Sequence, residues 1–248
     1  MSTLAQRSPF RTVHTSRVEI RCFGGFRLRV HGRPIDYAGI RPRTRTALRL
    51  LAMRTGHPVH RETLLDALWP DTDAVPATHN LHVTLSSLRK FLDTATGESC
   101  QLQRSGDAYQ LVLPTGGYCD VATFGAAIDT AHDARLAGDF DTLTVALRTA
   151  LDVYHGDLLP EDGPEEWVVG TRESLRRRAA TAAVDLARSA VLRDDHDEAV
   201  SAAHQCTEID RYCDAGWRLL IDACTRVGDL AAAGQARQRY AEILATLG

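Results

Sequence analysis

The chain has 248 residues, 44% hydrophobic and 25% charged, with a formal net charge of -3 at pH 7. That length suits two domains, and that composition builds buried cores, which excludes a wholly disordered chain. No run approaches the roughly 18 apolar residues of a membrane-spanning helix. Residues 1–17 are polar and basic without an apolar centre, unlike a secretory signal, and read as a flexible arm. The net charge conceals a division. Residues 1–117 carry 16 Lys and Arg against 9 Asp and Glu, while residues 118–248 carry 13 against 23. A basic half and an acidic half imply different partners, with nucleic acid the leading one for the first. The six cysteines form no CxxC spacing, and a chain of this size needs no disulfide staples. They read as reduced, mostly buried thiols of a cytoplasmic protein.

Two period-2 segments come first: Val18, Ile20, Cys22, then Phe26, Leu28, Val30, with Gly24–Gly25 between them as a two-residue hairpin signal. A turn at 31–34 leads to a short extended piece near Ile35. From Pro42 the period becomes helical, and Ala47, Leu50, Leu51 and Met53 form a stripe that ends at Gly56–His57–Pro58. A second short helix opens at 59–61, turns Leu64, Leu65 and Leu68 inward, and stops at Trp69–Pro70. After a loop over 71–75, Pro76 suits the start of a third helix, whose Leu81, Leu85, Leu88 and Leu92 make a narrow seam. Residues 101–104 and 109–113 flank a turn at Ser105–Gly106–Asp107, a closing hairpin. Two short helices, a longer one and a hairpin form the layout of a winged helix-turn-helix over 18–114.

Pro114 to Gly117 marks the domain boundary, where the charge balance reverses. Beyond it, residues 118–248 read as an all-α domain with helices near 121–137, 140–154, 165–193, 197–210, 213–227 and 230–247. A weak repeat of 34 residues relates Asp194–Asp195 to Gly228–Asp229, Ala199 to Ala233, Ala202 to Ala236 and Ile209 to Ile243. That is the tetratricopeptide period, in which paired helices stack into a solenoid. The predicted fold is mainly α with a small β component.

With the leucine seam inward, the third helix turns His79, Val83, Ser86 and Lys90 outward, with His82 and Arg89 on one flank and Asn80 and Ser87 on the other. Ser and His can hydrogen-bond base edges, Val83 can meet a thymine methyl, and Arg89 or Lys90 can hold phosphates. Arg104, Ser105 and Gly106 at the hairpin tip are compact enough for a minor groove or a phosphate. Arg41, Arg43, Arg45 and Arg49, leading into the first helix, suit the DNA backbone. The competing assignment of this surface is the solvated side of an amphipathic helix, and the adjoining helix, hairpin and basic balance favour DNA. His79 and His82 lack the further ligands a structural metal site needs. No nucleophile elbow, phosphate loop, metalloprotease or dinucleotide motif occurs, so no enzyme activity, cofactor or metal is expected.

The segment Leu81 to Lys90 and the run Tyr154-His155-Gly156-Asp157-Leu158-Leu159-Pro160-Glu161-Asp162, followed by Trp167, Arg172 and Leu175, carry a resemblance. The first half resembles the OmpR-type winged helix and the second the bacterial transcriptional activator domain. Together they look like a small member of the Streptomyces antibiotic regulatory protein family. The resemblance implies a transcriptional activator that binds direct repeats of double-stranded DNA near a promoter's -35 region, as a homodimer or higher assembly. It implies recruitment of the RNA polymerase holoenzyme, with Asp71, Thr72, Asp73, Ala74 and Val75 as contact candidates, and an antibiotic gene cluster as target. An alternative is a helical-repeat adaptor whose winged helix binds protein.

Overall fold

The computed structural model describes residues 18–97 and 99–247, so the arm read at 1–17 lies outside the described residues. Strands β1 (Val18–Arg21) and β2 (Arg27–Val30) pair antiparallel, from Val18 opposite Val30 to Arg21 opposite Arg27. The period-2 pattern works as read: Val18, Ile20, Leu28 and Val30 are buried. The connection does not. It spans 22–26 and not the two glycines alone, because the Cys22 and Phe23 amides turn away from β2 to a carboxylate 97–98 residues distant. A two-residue edge strand, β3 (Arg33–Pro34), follows, and its proline blunts the sheet edge.

Helix α1 (Pro42–Ala52) has Pro42 at its start, where the missing N–H costs nothing. Strand β4 (Val59–His60) leads into α2 (Arg61–Leu68), whose first turn is capped by the His60 imidazole accepting from the Glu62 amide at 3.3 Å. Helix α3 (Ala74–Thr96) begins earlier than the proline signal suggested. Pro76 is its third residue, still among the positions whose N–H has no partner within the helix. Strands β5 (Gln101–Ser105) and β6 (Ala108–Val112) form the wing, and β4 joins them in a sheet ordered β4-β6-β5.

After the turn at 114–117 the chain forms β7 (Tyr118–Cys119), which pairs parallel with β1 and completes a sheet ordered β3-β2-β1-β7. Six helices follow: α4 (Asp120–Ala137), α5 (Phe140–Val153), α6 (Glu166–Leu192), α7 (His196–Ile209), α8 (Asp214–Arg226) and α9 (Leu230–Leu247). Small residues such as Ala183, Ala187 and Ala190 on α6 and Ala199 and Ala203 on α7 are fully buried, letting the helices approach closely. The repeat has a local cause. At three turns, a residue in the left-handed region (Gly138, Asp194, Gly228) precedes an aspartate. The amides of Asp139, Asp195 and Asp229 each bond a carbonyl five residues back at 2.9 Å. Their carboxylates then cap the next helix, accepting from Thr142, Glu198 and Ala232. Asp194 alone adopts φ 61° with a side chain at this position. Asp194→Gly should therefore stabilise the chain by about 0.5–1 kcal/mol, measured by urea denaturation.

The two halves share one core. Phe23 on the 22–26 connection packs on Phe124 of α4 and Tyr154 at centroid distances of 5.6 and 4.8 Å. The 154–162 run, prominent in the sequence, lies against this connection along its length. Phe23 bridges Leu158, Gly24 donates to the Asp157 carbonyl, Leu159 donates to the Cys22 carbonyl, and the Glu161 carboxylate accepts the Phe26 amide at 2.8 Å. Gly24 sits at φ 66°, and a Cβ there would stand 3.0 Å from the His155 carbonyl oxygen, so only glycine fits. Arg172 pins the run from behind, donating to the carbonyls of Leu158, Leu159 and Gly163 at 2.7 Å each. Arg49 reaches over from α1 to Asp162 at 2.7 Å. This corrects the expectation that Arg49 faces the DNA backbone: its guanidinium is held by a carboxylate of the helical half.

Beneath the junction, the Asp120 side chain is fully buried and accepts the amides of Cys22, Phe23 and Val121 at 2.8–2.9 Å. Burial pushes its pKa up to about 6, against the opposing pull of those three N–H groups. Asp162 is likewise raised to about 6, chiefly by burial, with Arg49 opposing.

Candidate nucleic-acid interface

Helix α3 is positioned from below by Ala77, Leu81, Leu85, Leu88 and Leu92, all buried against α1, α2 and the wing. The opposite face then meets solvent as predicted. His79, Asn80, His82, Ser86 and Lys90 are exposed, Val83 is 45% exposed, and Ser87 is half-buried. No carboxylate occurs from Ala74 to Leu92, so this surface presents donors, imidazoles and a cation with nothing to repel phosphate. Arg89 is half-buried, and its Nε donates to the Leu102 carbonyl at 3.3 Å. It braces the helix against β5.

A shallow groove of about 370 Å³ runs beside this face, lined by Arg41, Pro42, Arg43, Thr44, Trp69, Asn80, Val83, Thr84 and Ser87. The fold thus brings Arg41 and Arg43 to the same groove as Asn80, Val83 and Ser87, about 40 residues apart in sequence. Trp69, which reads in the sequence only as a helix stop, forms part of its wall. Arg45 is half-buried on the stripe it shares with Arg49, and its charge acts on Tyr37. It is not among the residues lining the groove.

At the wing, Ser105 pairs with Ala108 around a two-residue turn, Gly106–Asp107. Arg104 stands exposed at the tip. Its Nε donates to the Gly106 carbonyl at 2.8 Å, and its guanidinium lies 5.8 Å from the Tyr109 ring centre. Arg61 at the start of α2 lies 3.7 Å from Asp107, a link between wing and helix that sequence spacing does not reveal. Asp71, Thr72 and Asp73 form an exposed loop, while Ala74 and Val75 belong to the first turn of α3. Val75 is 82% exposed. Among the described residues, no group of His, Cys, Asp or Glu is placed to hold a metal, and no helix is long and apolar enough to cross a membrane.

A long helix held on a leucine seam, a wing, and a capped helical repeat fused to both define a winged-helix protein with a helical-repeat half. Comparison with known proteins gives the family. Residues 119–247 match the bacterial transcriptional activator domain, and residues 38–106 match the C-terminal domain of transcriptional regulatory proteins. The chain belongs to the bacterial transcriptional activator domain family, and its two-part order is that of the Streptomyces antibiotic regulatory proteins. It is 27% identical over 146 residues to the transcriptional regulatory protein EmbR of Mycobacterium tuberculosis, covering 58% of this chain and 37% of EmbR. It is 30% identical over 118 residues to the regulatory protein AfsR of Streptomyces coelicolor, covering 48% of this chain and 11% of AfsR. The chain therefore spans little more than a third of EmbR. A solved structure of M. tuberculosis EmbR in complex with a low-affinity phosphopeptide superposes with a TM-score of 0.71 at 23% identity, covering 93% of this chain and 60% of that one. That likeness establishes the fold, a winged helix followed by a helical repeat.

Proposed function

We propose that this protein is a sequence-specific DNA-binding transcriptional activator that lays α3 in the major groove and the wing tip against the minor groove or its phosphates. The observation that carries the reading is the carboxylate-free outward face of α3, flanked by the Arg41–Arg43 groove and by Arg104. Its shape and charge suit a duplex: short polar side chains at the centre for base edges, and cations at the margins for phosphates. His79, Asn80, His82, Val83, Ser86 and Ser87 would read bases, while Arg41, Arg43, Arg45, Lys90 and Arg104 would hold the backbone. Ser105 and Gly106 would let the tip approach closely. Two or more copies would occupy direct repeats near the -35 region of promoters, those of an antibiotic gene cluster being the targets that the family resemblance implies. The exposed residues Asp71 to Asp73, with Ala74 and Val75, would meet RNA polymerase.

Footprinting of the full chain on promoters beside its own gene tests this. Protected segments should recur in the same orientation, with centres one helical turn of about 10–10.5 base pairs, or a multiple of it, apart. Inverted half-sites, or no protection on any such promoter, would contradict the reading. Arg104→Ala should weaken binding to all sequences alike and reduce the slope of log affinity against log salt by about one.

A further inference from the structure

Successive helices of the repeat run antiparallel through short connections, so the α4–α5, α6–α7 and α8–α9 turns lie at one end. The winged-helix junction occupies the other end, at the 154–162 run. The far end is unusually apolar for a solvated edge. Leu136 (75% exposed), Phe140, Leu192 (83%), Val227 and Leu230 stand out from it, half of the exposed large apolar side chains among the described residues. Scattered apolar residues on a surface need no explanation, but a ridge repeated at three equivalent turns does.

Its charge is one-sided. Asp139, Asp141, Asp194, Asp195, Asp197 and Asp229 crowd the same turns. The nearby cations are engaged: Arg135 with Asp185, Arg193 with Glu198, and Arg226 with Asp222. Asp141 and Asp197 have no cationic partner among the described residues.

The complementary surface is on the same chain. On the outward face of the β1–β2 sheet, Arg21 stands directly opposite Arg27, a like-charge pairing that costs stability. Glu19, opposite Arg29 in the register, bonds Arg21 at 2.5 Å, and among the described residues no ion pair engages Arg27 or Arg29. Beside them is a groove of about 340 Å³ with Pro34, Ile35 and Tyr37 in its wall, apolar and rimmed by guanidinium groups.

We propose that the acidic, apolar far end of the helical repeat in one copy docks on the Arg27–Arg29 sheet face of a second copy. The contact joins two different surfaces, so it is heterologous and adds copies in one direction. Direct repeats call for that symmetry, whereas an isologous dimer suits inverted ones. The proposal deepens the DNA-array reading, yet the contact itself needs no DNA.

Sedimentation velocity of the full chain without DNA tests it, so the outcome does not depend on whether the α3 face reads a duplex. In low salt the wild-type mass should rise with concentration above that of one chain, and the rise should fade at high salt. The variants D141R/D197R and R27E/R29E, both on exposed positions, should each associate about tenfold more weakly. A 1:1 mixture of the two should recover association, because each keeps the surface the other has lost and the reversed charges also match. Circular dichroism of each variant should match wild type. A wild-type chain that stays monomeric at about 100 µM in low salt, a level where even weak encounters register, would overturn the proposal. So would unaltered association of either variant, or a mixture no stronger than its components.

Discussion

Asp120→Ala is expected to cost about 3–5 kcal/mol of folding stability and to destabilise both halves together. Three backbone N–H groups converge on this buried carboxylate, two from the connection after β1 and one from the start of α4. Each amide left without an acceptor forfeits about 1–3 kcal/mol, partly offset because a buried charge is also removed. Because the Phe23–Phe124–Tyr154 cluster spans both halves, urea unfolding should be a single transition by far-ultraviolet circular dichroism and by tryptophan fluorescence. In the variant its midpoint should fall with both probes still coincident. Two separated transitions in the wild type would contradict a shared core. The same residue sets a pH dependence. Its pKa is raised from 3.8 to about 6, so between those values the folded chain holds a proton that the unfolded chain has lost. The stability it contributes is therefore greatest below about pH 4 and declines as pH rises to about 6. The gap between wild type and Asp120→Ala should narrow over that window and level off above it.

Ser86→Glu is expected to lower affinity for duplex DNA by at least about 100-fold while leaving the fold intact, since like-charge juxtaposition costs several kcal/mol. Ser86 is exposed near the centre of the α3 face, so the substitution should change stability by no more than about 0.5 kcal/mol. It places a carboxylate where a duplex would present phosphates and base-edge acceptors. Ser86→Ala should act differently, shifting base preference by about 1–3 kcal/mol if the hydroxyl makes a specific contact. Affinity for Ser86→Glu within threefold of wild type would remove α3 from the groove.

Much of this was legible in the sequence because the signals are local. The leucine seam at 81, 85, 88 and 92 gives both the existence of α3 and the face it exposes. The turns at 138–139, 194–195 and 228–229 give the helix boundaries of the repeat to within a residue or two, since left-handed residue and aspartate cap are adjacent. What the sequence concealed is long-range. Arg49 continues a stripe of arginines at 41 and 45, and nothing in spacing tells a guanidinium that faces a phosphate from one held by Asp162. The Gly24–Gly25 pair imitates a tight hairpin, but Asp120 draws the neighbouring amides into a wider connection. The charge reversal at 114–117 was visible in the sequence, whereas the parallel pairing of β7 with β1 across it was not. The run from Tyr154 to Asp162 stood out as a motif without a role. Its geometry supplies one, as the seam that holds the winged helix to the repeat.

The most direct test of the central claim is the salt dependence of full-chain affinity for a footprinted promoter duplex. With Arg41, Arg43, Arg45, Lys90 and Arg104 as phosphate contacts, log affinity should fall against log salt with a slope of roughly -4 to -5 per copy. An affinity indifferent to salt, or no binding at low salt, would show that the basic half does not serve DNA.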